Sequence, residues 1–165
     1  VLADGEILQG VFKIECFIAS GGMGQVFQAR DLRLERAVAV KVLHGRFQMA
    51  EGLKRFQKEA RSLSRVVHPN VVATYEVGFH DGRPFLVMEY VDGPTLGSHV
   101  RATGGLDVAD AVRLTTQIGA GLEEAHALGI VHRDVKPGNI LLHRLRAGGL
   151  LAKVVDFGLA IALEG

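Results

Sequence analysis

Apolar and polar residues alternate in several stretches of the first half of the chain, a pattern that is typical of β-strands with one buried face. Three of these stretches run from Val11 to Ala19, from Gln25 to Asp31 and from Arg36 to Leu43, and glycine-rich or charged turns separate them. Two more, Val71 to Phe79 and Pro84 to Val91, flank an Asp-Gly turn of the kind that closes hairpins. The pattern predicts a small antiparallel sheet of five strands.

Two other segments repeat their apolar residues every three or four positions, which predicts helices. The first runs from Glu51 to Val66 and ends before His68-Pro69-Asn70. The second follows Asp107, a suitable N-cap, and runs to Leu128, with a glycine after it as its stop. The predicted buried side of this second helix consists of Val108, Val112, Leu114, Ile118, Leu122 and Ala125.

A polar, glycine-containing stretch from Asp92 to Gly105 separates the two halves of the chain. We therefore predict a first lobe over residues 1–91 and a second lobe over residues 92–165. Two short apolar strands, Ile140 to Leu142 and Leu151 to Val155, belong to the second lobe. The predicted fold class is α+β: a five-stranded antiparallel lobe with one helix, followed by an incomplete, mainly helical lobe.

Composition narrows the class of protein. The chain has 165 residues, of which 48% are hydrophobic, enough for a buried core. Its 19 Lys and Arg residues balance 18 Asp and Glu residues, so no basic field predicts a nucleic-acid partner. No apolar run reaches the roughly 18 residues of a membrane helix, and Cys16 has no second cysteine to pair with. We predict a cytoplasmic protein without a membrane segment.

The glycine-rich segment Ser20-Gly21-Gly22-Met23-Gly24 is the first candidate for chemistry. A dinucleotide-binding fingerprint would open a helix, but residues 25–29 alternate like a strand, and no Gly-Lys-Ser/Thr sequence follows. The segment is therefore predicted to be the bend of a hairpin. Such a bend can place backbone N–H groups over phosphates, and by itself it is equally consistent with a plain turn.

Lys41 is the second candidate, because an ammonium group is costly within an apolar strand such as Ala37 to Leu43. Glu59 borders the apolar face of the predicted first helix and is a suitable partner for Lys41. Two alternatives remain: Lys41 extends its charge to water from an edge strand, and Glu59 pairs with Arg55 or Lys58 in solvent.

Two acidic motifs follow in the second half. His132-Arg133-Asp134 comes first, with Lys136 and Asn139 close behind, and Asp156-Phe157-Gly158 follows an apolar strand. A metal-bound triphosphate needs oxygen ligands, a cation and a carboxylate near the attacking hydroxyl, and these motifs supply each. The alternative for the first motif is a surface turn with an internal ion pair.

In this order the motifs resemble those of eukaryotic-type (Hanks-type) serine/threonine protein kinases, and the chain is most similar to the bacterial ones. The resemblance covers Ile14 to Ala160, nearly the whole chain. It rests on Ala19-Ser20-Gly21-Gly22-Met23-Gly24-Gln25-Val26, Val38-Ala39-Val40-Lys41, Glu59, His132-Arg133-Asp134-Val135-Lys136-Pro137-Gly138-Asn139 and Asp156-Phe157-Gly158.

The resemblance implies an enzyme that uses ATP and Mg²⁺ to phosphorylate Ser or Thr of a protein substrate. It implies that Asp134 orients and deprotonates the substrate hydroxyl, and that Asn139 and Asp156 hold magnesium. Lys136 would place a cation beside the transferred phosphoryl group. A lysine at this position resembles serine/threonine kinases rather than tyrosine kinases or small-molecule phosphotransferases.

The resemblance also implies a nucleotide site. Met88-Glu89-Tyr90-Val91 resembles the kinase hinge, whose backbone pairs with the adenine edge, and Val26 and Ala39 would lie above the ring. Ordinary core packing is the alternative for these apolar residues, and both interpretations can hold together. The implied set is Ile18, Ala19, Ser20, Gly21, Gly22, Met23, Gly24, Val26, Ala39, Lys41, Glu59, Met88, Glu89 and Val91.

The chain departs from the family pattern in three places. Ala19 replaces the first glycine of the loop, so altered nucleotide affinity is expected rather than loss. The stretch His143 to Leu151 is expected to be a surface insertion. After Gly158 the chain is expected to lack the activation segment and later helices, which would expose an apolar side of the long helix to a partner. The alternatives to a kinase are therefore a non-catalytic fragment that binds nucleotide or a partner, and an inert truncated product.

Overall fold

The computed structural model describes residues 2–22, 24–44, 58 and 60–157, and their contacts group them into two compact units. The first unit contains the chain up to Ser64 together with Thr74–Tyr90. The second contains Arg65–Ala73 together with residues 91–157. The sequence pattern assigns residues 65–73 to the first lobe, whereas their contacts group them with the second unit.

The described part of the first unit forms one antiparallel sheet. Its strands are β1 (Ile7–Leu8), β2 (Phe12–Gly21), β3 (Gly24–Asp31), β4 (Arg36–Leu43), β5 (Thr74–His80) and β6 (Arg83–Glu89), in the order β1-β2-β3-β4-β6-β5. The five predicted strands are confirmed. Strand β1 adds a sixth, which was not predicted because two residues are too few to show an alternating pattern. Strand β5 starts at Thr74 rather than at Val71, because Val71 forms a parallel bridge with Val154 within the second unit.

One face of this sheet carries the core of the first unit. The cross-strand partners Phe27, Val40 and Val87 lie on this face and are each at most 1% exposed. The ring of Phe12 packs edge-on against that of Phe85, with 6.3 Å between the centroids. The buried cluster consists of Leu8, Phe12, Ile14, Phe27, Ala29, Val38, Val40, Val42, Phe85 and Val87.

Side chains of the N-terminal segment join the two outer edges of the sheet. Glu6 and Gln9 flank the edge strand β1, and both contact β5 at the opposite edge. Glu6 Oε1 lies 2.7 Å from His80 Nε2, and Gln9 Nε2 donates to the carbonyl oxygen of Phe79 at 3.4 Å. The sheet is therefore curled so that its first and last strands approach each other.

Most of the predicted helix from Glu51 to Val66 lies outside the described residues. Residues 60–63 are helical, and the N–H of Ser64 donates to the carbonyl oxygen of Ala60 at 3.0 Å. Residues 64 and 65 form a turn, so the helix ends before His68 as the pattern predicts.

The second unit combines helices with a hairpin. Its described elements are α1 (Leu96–Thr103), α2 (Val108–Ala127), a short 3₁₀ helix (Pro137–Asn139), β7 (Ile140–Arg144) and β8 (Leu150–Val154). None of the helices among these residues combines the length and the apolar content that a membrane crossing requires.

Helix α1 was not predicted, because it lies within the polar stretch that separates the two halves. Thr95 caps its start by accepting a hydrogen bond from the N–H of Ser98 at 3.0 Å, and Gly104 ends it in the left-handed conformation, with φ 78°. No residue of α1 is fully buried. A helix without a fully buried face need not carry the apolar stripe by which most helices are predicted.

Helix α2 confirms the predicted long helix and its N-cap. Asp107 Oδ1 accepts a hydrogen bond from the N–H of Asp110 at 2.7 Å. Gly129 follows the last turn with a positive φ of 74°, which makes it a suitable stop.

The buried side of α2 differs from the predicted one. Leu114 and Ala125 are buried, but Val108 and Val112 are 81% and 62% exposed, so the prediction is wrong for these two residues. The residues of α2 that are fully buried begin at Leu114 and include Gly121. The first turns of α2 therefore extend beyond the surface that the helix packs against.

The stretch His143 to Leu151 is largely the hairpin itself. His143 pairs with Leu151 and Arg144 pairs with Leu150, which leaves an exposed turn over residues 145–149. The turn lies at the surface as predicted, and an insertion relative to the family stays a prediction.

Candidate functional site

In the first unit, strand register brings several of the predicted nucleotide-binding residues to one face of the sheet. Val26 pairs with Lys41, which pairs in turn with Leu86, and Ala39 pairs with Met88 in the neighbouring row. Directly paired residues share a face, and so do residues two apart along a strand. Val26, Ala39, Lys41 and Met88 thus share the face opposite the core.

Lys41 is only 5% exposed. It lies between Val40 and Val42, which point into the core on the other face. The alternative of a solvent-directed lysine on an edge strand is wrong, because β4 is an interior strand flanked by β3 and β6. The predicted partner Glu59 lies outside the described residues, so the Lys41–Glu59 ion pair stays a prediction.

The glycine-rich segment is the bend of a hairpin, as predicted. Strands β2 and β3 pair up to Gly21 opposite Gly24, with Gly22 after Gly21 and the tip residue Met23 outside the described part. A Cβ on Gly24 would lie 2.2 Å from the carbonyl oxygen of Val42, whereas Gly21 and Gly22 have open space around them. Close backbone approach therefore requires a glycine at position 24.

The remaining residues of the implied nucleotide set belong to strand β2, to the end of β6 or to the residues just after β6. Ala19 lies in β2 and pairs with Val26 of β3. Its extended backbone tolerates a methyl group. Ile18 lies in the register shift before Ala19 and is 46% exposed, and Ser20 is exposed as well. The other two are Glu89, which ends β6, and Val91, which is 8% exposed.

In the second unit, His132 anchors the first acidic motif. Its ring is 1% exposed and packs against Phe157, with 4.6 Å between the ring centroids. Nδ1 accepts from the N–H of Asp134 at 3.2 Å, so Nε2 carries the proton and donates to the carbonyl oxygen of Val155 at 2.9 Å. One histidine thereby ties both acidic motifs together. The first motif contains His132, but the sequence pattern does not predict that His132 links the two motifs.

Asp134, Lys136 and Asn139 form a hydrogen-bonded triangle. Lys136 Nζ donates to Asp134 Oδ2 at 2.6 Å. Asn139 Nδ2 donates to the same Oδ2 at 3.0 Å and to the carbonyl oxygen of Asp134 at 2.9 Å. The hydrogen bond from Lys136, assisted by that from Asn139, lowers the pKa of Asp134. The carboxylate is therefore ionised and held in one orientation.

Asn139 is also fixed by its backbone. Its N–H donates to the carbonyl oxygen of Lys136 at 2.8 Å, and its carbonyl oxygen accepts from the N–H of Val155 at 3.0 Å. Arg133 and Asp156 each have a φ of 65°, a left-handed conformation that costs free energy for residues other than glycine. Such strained positions cluster at functional sites, and here one lies in each acidic motif.

The donor set fits magnesium. The amide nitrogen of Asn139 makes both bonds to Asp134, so the amide oxygen points away from that residue. This oxygen and the carboxylate of Asp156 are hard ligands of the kind that Mg²⁺ prefers. Within the described ranges no group of three or more His, Cys, Asp or Glu residues could hold a metal ion. Two protein ligands suit a magnesium ion whose other ligands are phosphates and water.

Comparisons with known proteins identify the family of the chain. The family model for the protein kinase domain matches residues 12–165. The serine/threonine-protein kinase PrkC of Bacillus subtilis is 42% identical over 163 residues, which are 97% of this chain and 24% of PrkC. The serine/threonine-protein kinase PknA of Mycobacterium tuberculosis is also 42% identical, over 97% of this chain and 38% of PknA.

Among solved structures, the kinase domain of Mycobacterium tuberculosis PknI superimposes with a TM-score of 0.83 at 28% identity. The match covers 96% of this chain and 64% of that kinase-domain chain. The chain thus spans well under half the length of the curated relatives it matches, and about two thirds of a solved relative.

Proposed function

This chain belongs to the protein kinase domain family, and from that premise we propose that it is the ATP-binding and catalytic-loop part of a serine/threonine protein kinase. The proposed reaction transfers the γ-phosphoryl group of Mg-ATP to the hydroxyl of a Ser or Thr in a protein. A cytoplasmic location, where ATP is available, is part of this proposal.

The observation that carries the proposal is the triangle of Asp134, Lys136 and Asn139. A phosphoryl transfer to a hydroxyl needs a carboxylate that is ionised, correctly oriented and close to a cation. Asp134 has a lowered pKa and accepts two hydrogen bonds at one oxygen, Oδ2. Its other oxygen, Oδ1, is therefore the candidate to accept the proton of the substrate hydroxyl.

Residues of the first unit would bind the nucleotide. In this proposal the backbone N–H groups around Gly21 and Gly22 contact phosphate oxygens, because no side chain blocks their approach. The ammonium group of Lys41 would contact the α- and β-phosphates, and Val26, Ala39 and Met88 would pack against the adenine ring. The backbone of residues 89–91 would pair with the adenine edge.

Residues of the second unit would perform the transfer. Asn139 and Asp156 would hold magnesium, which neutralises the charge of the phosphates when it is bound. Asp134 would orient the hydroxyl and take its proton as the hydroxyl oxygen bonds to the γ-phosphorus. The bond between that phosphorus and the oxygen bridging it to the β-phosphate would break, which releases ADP. Lys136, held beside Asp134, would stabilise negative charge on the transferred group.

Two measurements on the full-length protein test the proposal. Calorimetric titration with Mg-ATP is expected to give saturable binding that Lys41→Met and Asp156→Asn both weaken. Phosphorylation of the protein itself or of a protein substrate is expected to disappear in Asp134→Ala. A folded protein that binds no Mg-ATP, or an unchanged rate in Asp134→Ala, would contradict the proposal.

A second candidate is a non-catalytic module that binds nucleotide or a partner. The exposed valines at the start of α2, Val108 and Val112, favour it, because side chains of this kind are usually covered. Measurable phosphoryl transfer by residues 1–165 alone would refute this candidate. ATP binding without transfer, both by this chain and by the full-length protein, would support it.

A further inference from the structure

Strand β8 leads directly to Asp156, and its two edges are paired in different ways. One edge pairs with β7 in the hairpin, from Ile140 opposite Val154 to Arg144 opposite Leu150. No strand of the described second unit lies along the other edge, because its sheet contains only β7 and β8. Five backbone groups of that edge nevertheless have hydrogen-bond partners, in Leu150, Ala152 and Val154.

Part of this pairing comes from Asn70 and its neighbours. The N–H of Val154 donates to the carbonyl oxygen of Asn70 at 2.8 Å, and the carbonyl oxygen of Val154 accepts from the N–H of Val72 at 2.9 Å. The side chain of Asn70 donates from Nδ2 to the carbonyl oxygen of Ala152 at 2.8 Å. Asn70 is itself 6% exposed.

The rest comes from a single side chain of α2. Gln117 Oε1 accepts from the N–H of Ala152 at 2.7 Å, and its Nε2 donates to the carbonyl oxygen of Leu150 at 3.4 Å. The two amides also meet, because Asn70 Nδ2 lies 3.4 Å from Gln117 Oε1. Gln117 and Asn70 thus occupy the place of a third strand beside β8.

The helix is built to allow this contact. Gln117 and Gly121 are one turn apart on α2, and a Cβ on Gly121 would lie 2.8 Å from the carbonyl oxygen of Asn70. Glycine at position 121 therefore lets the backbone around Asn70 approach α2, within reach of the Gln117 amide. An apolar side chain at position 117 would leave the N–H of Ala152 without this partner, which is costly in a buried site.

The hydrogen bonds along β8 continue into the second acidic motif. Beyond β8, the N–H of Val155 donates to Asn139, and its carbonyl oxygen accepts from His132. Asp156 follows in its left-handed conformation. The backbone position of Asp156 therefore depends on contacts at both edges of the strand that precedes it.

We propose that Gln117, together with Asn70, is a positioning residue that sets Asp156 for metal binding by fixing the outer edge of β8. This rests on the proposed function, in which Asp156 is a magnesium ligand. Residues that orient a metal ligand without touching the metal affect its affinity, commonly by about tenfold or more when they contact the ligand directly. Gln117 acts one step further away, so a smaller effect is expected.

The test compares Gln117→Met with the wild type in the full-length protein. Methionine keeps the length and volume of the side chain but removes both hydrogen bonds to β8. Thr116→Val is the matched control, because Thr116 is exposed on the same helix and bonds only within it, to the carbonyl oxygen of Val112.

The first measurement is calorimetric titration with ADP at a series of MgCl₂ concentrations. The Mg²⁺ concentration that gives half of the maximal ADP affinity is expected to rise about threefold to tenfold in Gln117→Met. The ADP affinity at saturating Mg²⁺ is expected to stay unchanged. An unchanged Mg²⁺ requirement in a folded variant would overturn the proposal, and so would an equal rise in Thr116→Val.

The second measurement needs neither metal nor nucleotide. Amide hydrogen exchange is expected to speed up at Ala152 and Val154 and to spread to residues 155–157 in Gln117→Met, but not in Thr116→Val. Faster exchange confined to Ala152, with residues 155–157 unaffected, would contradict the positioning role. If Gln117→Met does not fold, Gln117→Glu serves instead, since its carboxylate accepts from Ala152 but cannot donate to Leu150.

The two measurements separate the two proposals. A wild-type protein that binds no Mg-ADP would contradict the proposed function, and the exchange data would still show whether Gln117 orders residues 155–157. Normal Mg-ADP binding with an unchanged Mg²⁺ requirement in Gln117→Met would contradict the role of Gln117 alone.

Discussion

The side-chain amide of Asn139 donates to two oxygens of Asp134, the backbone carbonyl oxygen at 2.9 Å and carboxylate Oδ2 at 3.0 Å. This pair of contacts orients two groups at once. It fixes the carboxylate that would receive a proton, and it turns the amide oxygen of Asn139 toward the position where a cation would bind. One side chain thus orients both the proposed base and the proposed metal ligand.

Replacing Asp134 by Asn is expected to lower kcat by about a hundredfold or more, because an amide cannot take the proton of the hydroxyl. ADP affinity is expected to change little, since the residues of the first unit that are proposed to bind the nucleotide are untouched. Autophosphorylation of the full-length protein and calorimetry with ADP measure the two effects. Wild-type transfer rates in this variant would show that Asp134 is not the base.

Replacing Lys136 by Met is expected to raise the pKa of Asp134 toward that of an ordinary aspartate, because the hydrogen bond from Lys136 is the main cause of its lowered value. Since the base acts only when deprotonated, activity in the variant should begin to fall at a higher pH as the solution is acidified. NMR titration of the Asp134 carboxyl carbon measures the pKa directly.

Arg144→Met is the control for that experiment, because it removes an exposed cation from β7 of the same unit. Added salt should reduce the difference between Lys136→Met and the wild type, since Asp134 and Lys136 are both well exposed. An equal shift in both variants would mean that overall charge, rather than the contact, controls the pKa.

Replacing Gly24 by Ala is expected to destabilise the first unit by about 1–3 kcal/mol, because the new methyl group would meet the carbonyl oxygen of Val42. Gly22→Ala makes the same chemical change where no atom lies within 4 Å, so its melting temperature should stay near that of the wild type. Thermal unfolding of both variants tests this. Equal losses would show that flexibility, not close approach, is what both glycines provide.

Replacing Glu6 by Gln is expected to destabilise the protein near neutral pH by roughly 1 kcal/mol or less. The pKa of Glu6 is lowered, first by the backbone N–H of Ala3 and also by His80, so its contribution is present above the ordinary glutamate pKa. That contribution is lost as the pH falls through the lowered value of the folded protein.

The measurement is the difference in melting temperature between Glu6→Gln and the wild type, followed from about pH 7 to about pH 3. The difference should be constant at first and should shrink only below the ordinary glutamate pKa. Asp4→Asn, which alters an exposed carboxylate of the same segment, is the control. A difference that grows on acidification would contradict the assignment.

Much of the first unit could be predicted from the sequence, because its strands are half-buried and therefore alternate. The stretch around Phe27 shows this pattern, whereas the stretch around Val40 is an almost continuous apolar run, and their partners follow from the order of the hairpins. Strand β1 could not be predicted in the same way, since two residues are too few to show an alternating pattern. Its importance comes from Leu8, which is 0% exposed and belongs to the buried cluster of the first unit.

In the second unit, the polar motifs were more informative than the apolar pattern. The sequence order of Asp134, Lys136 and Asn139 predicts their proximity, and the structure confirms that they meet. Hydrophobicity predicts Leu114 and Ala125 on the packed side of α2, but it does not predict Gln117 and Gly121, which contact β8 and the segment around Asn70. Both residues contact backbone groups of segments that are distant in the sequence. The periodicity of the helix does not predict such contacts.

The N-terminal segment closes the sheet, and this affects where the boundary of the domain should be placed. The family match begins at residue 12, which leaves Glu6 and Leu8 outside it. A protein trimmed at that residue would lose a core side chain and would uncover the edge of β2, whose N–H and C=O groups could then pair with another chain. Residues 2–11 therefore cover the start of the β2 edge, in addition to contributing Leu8 to the core.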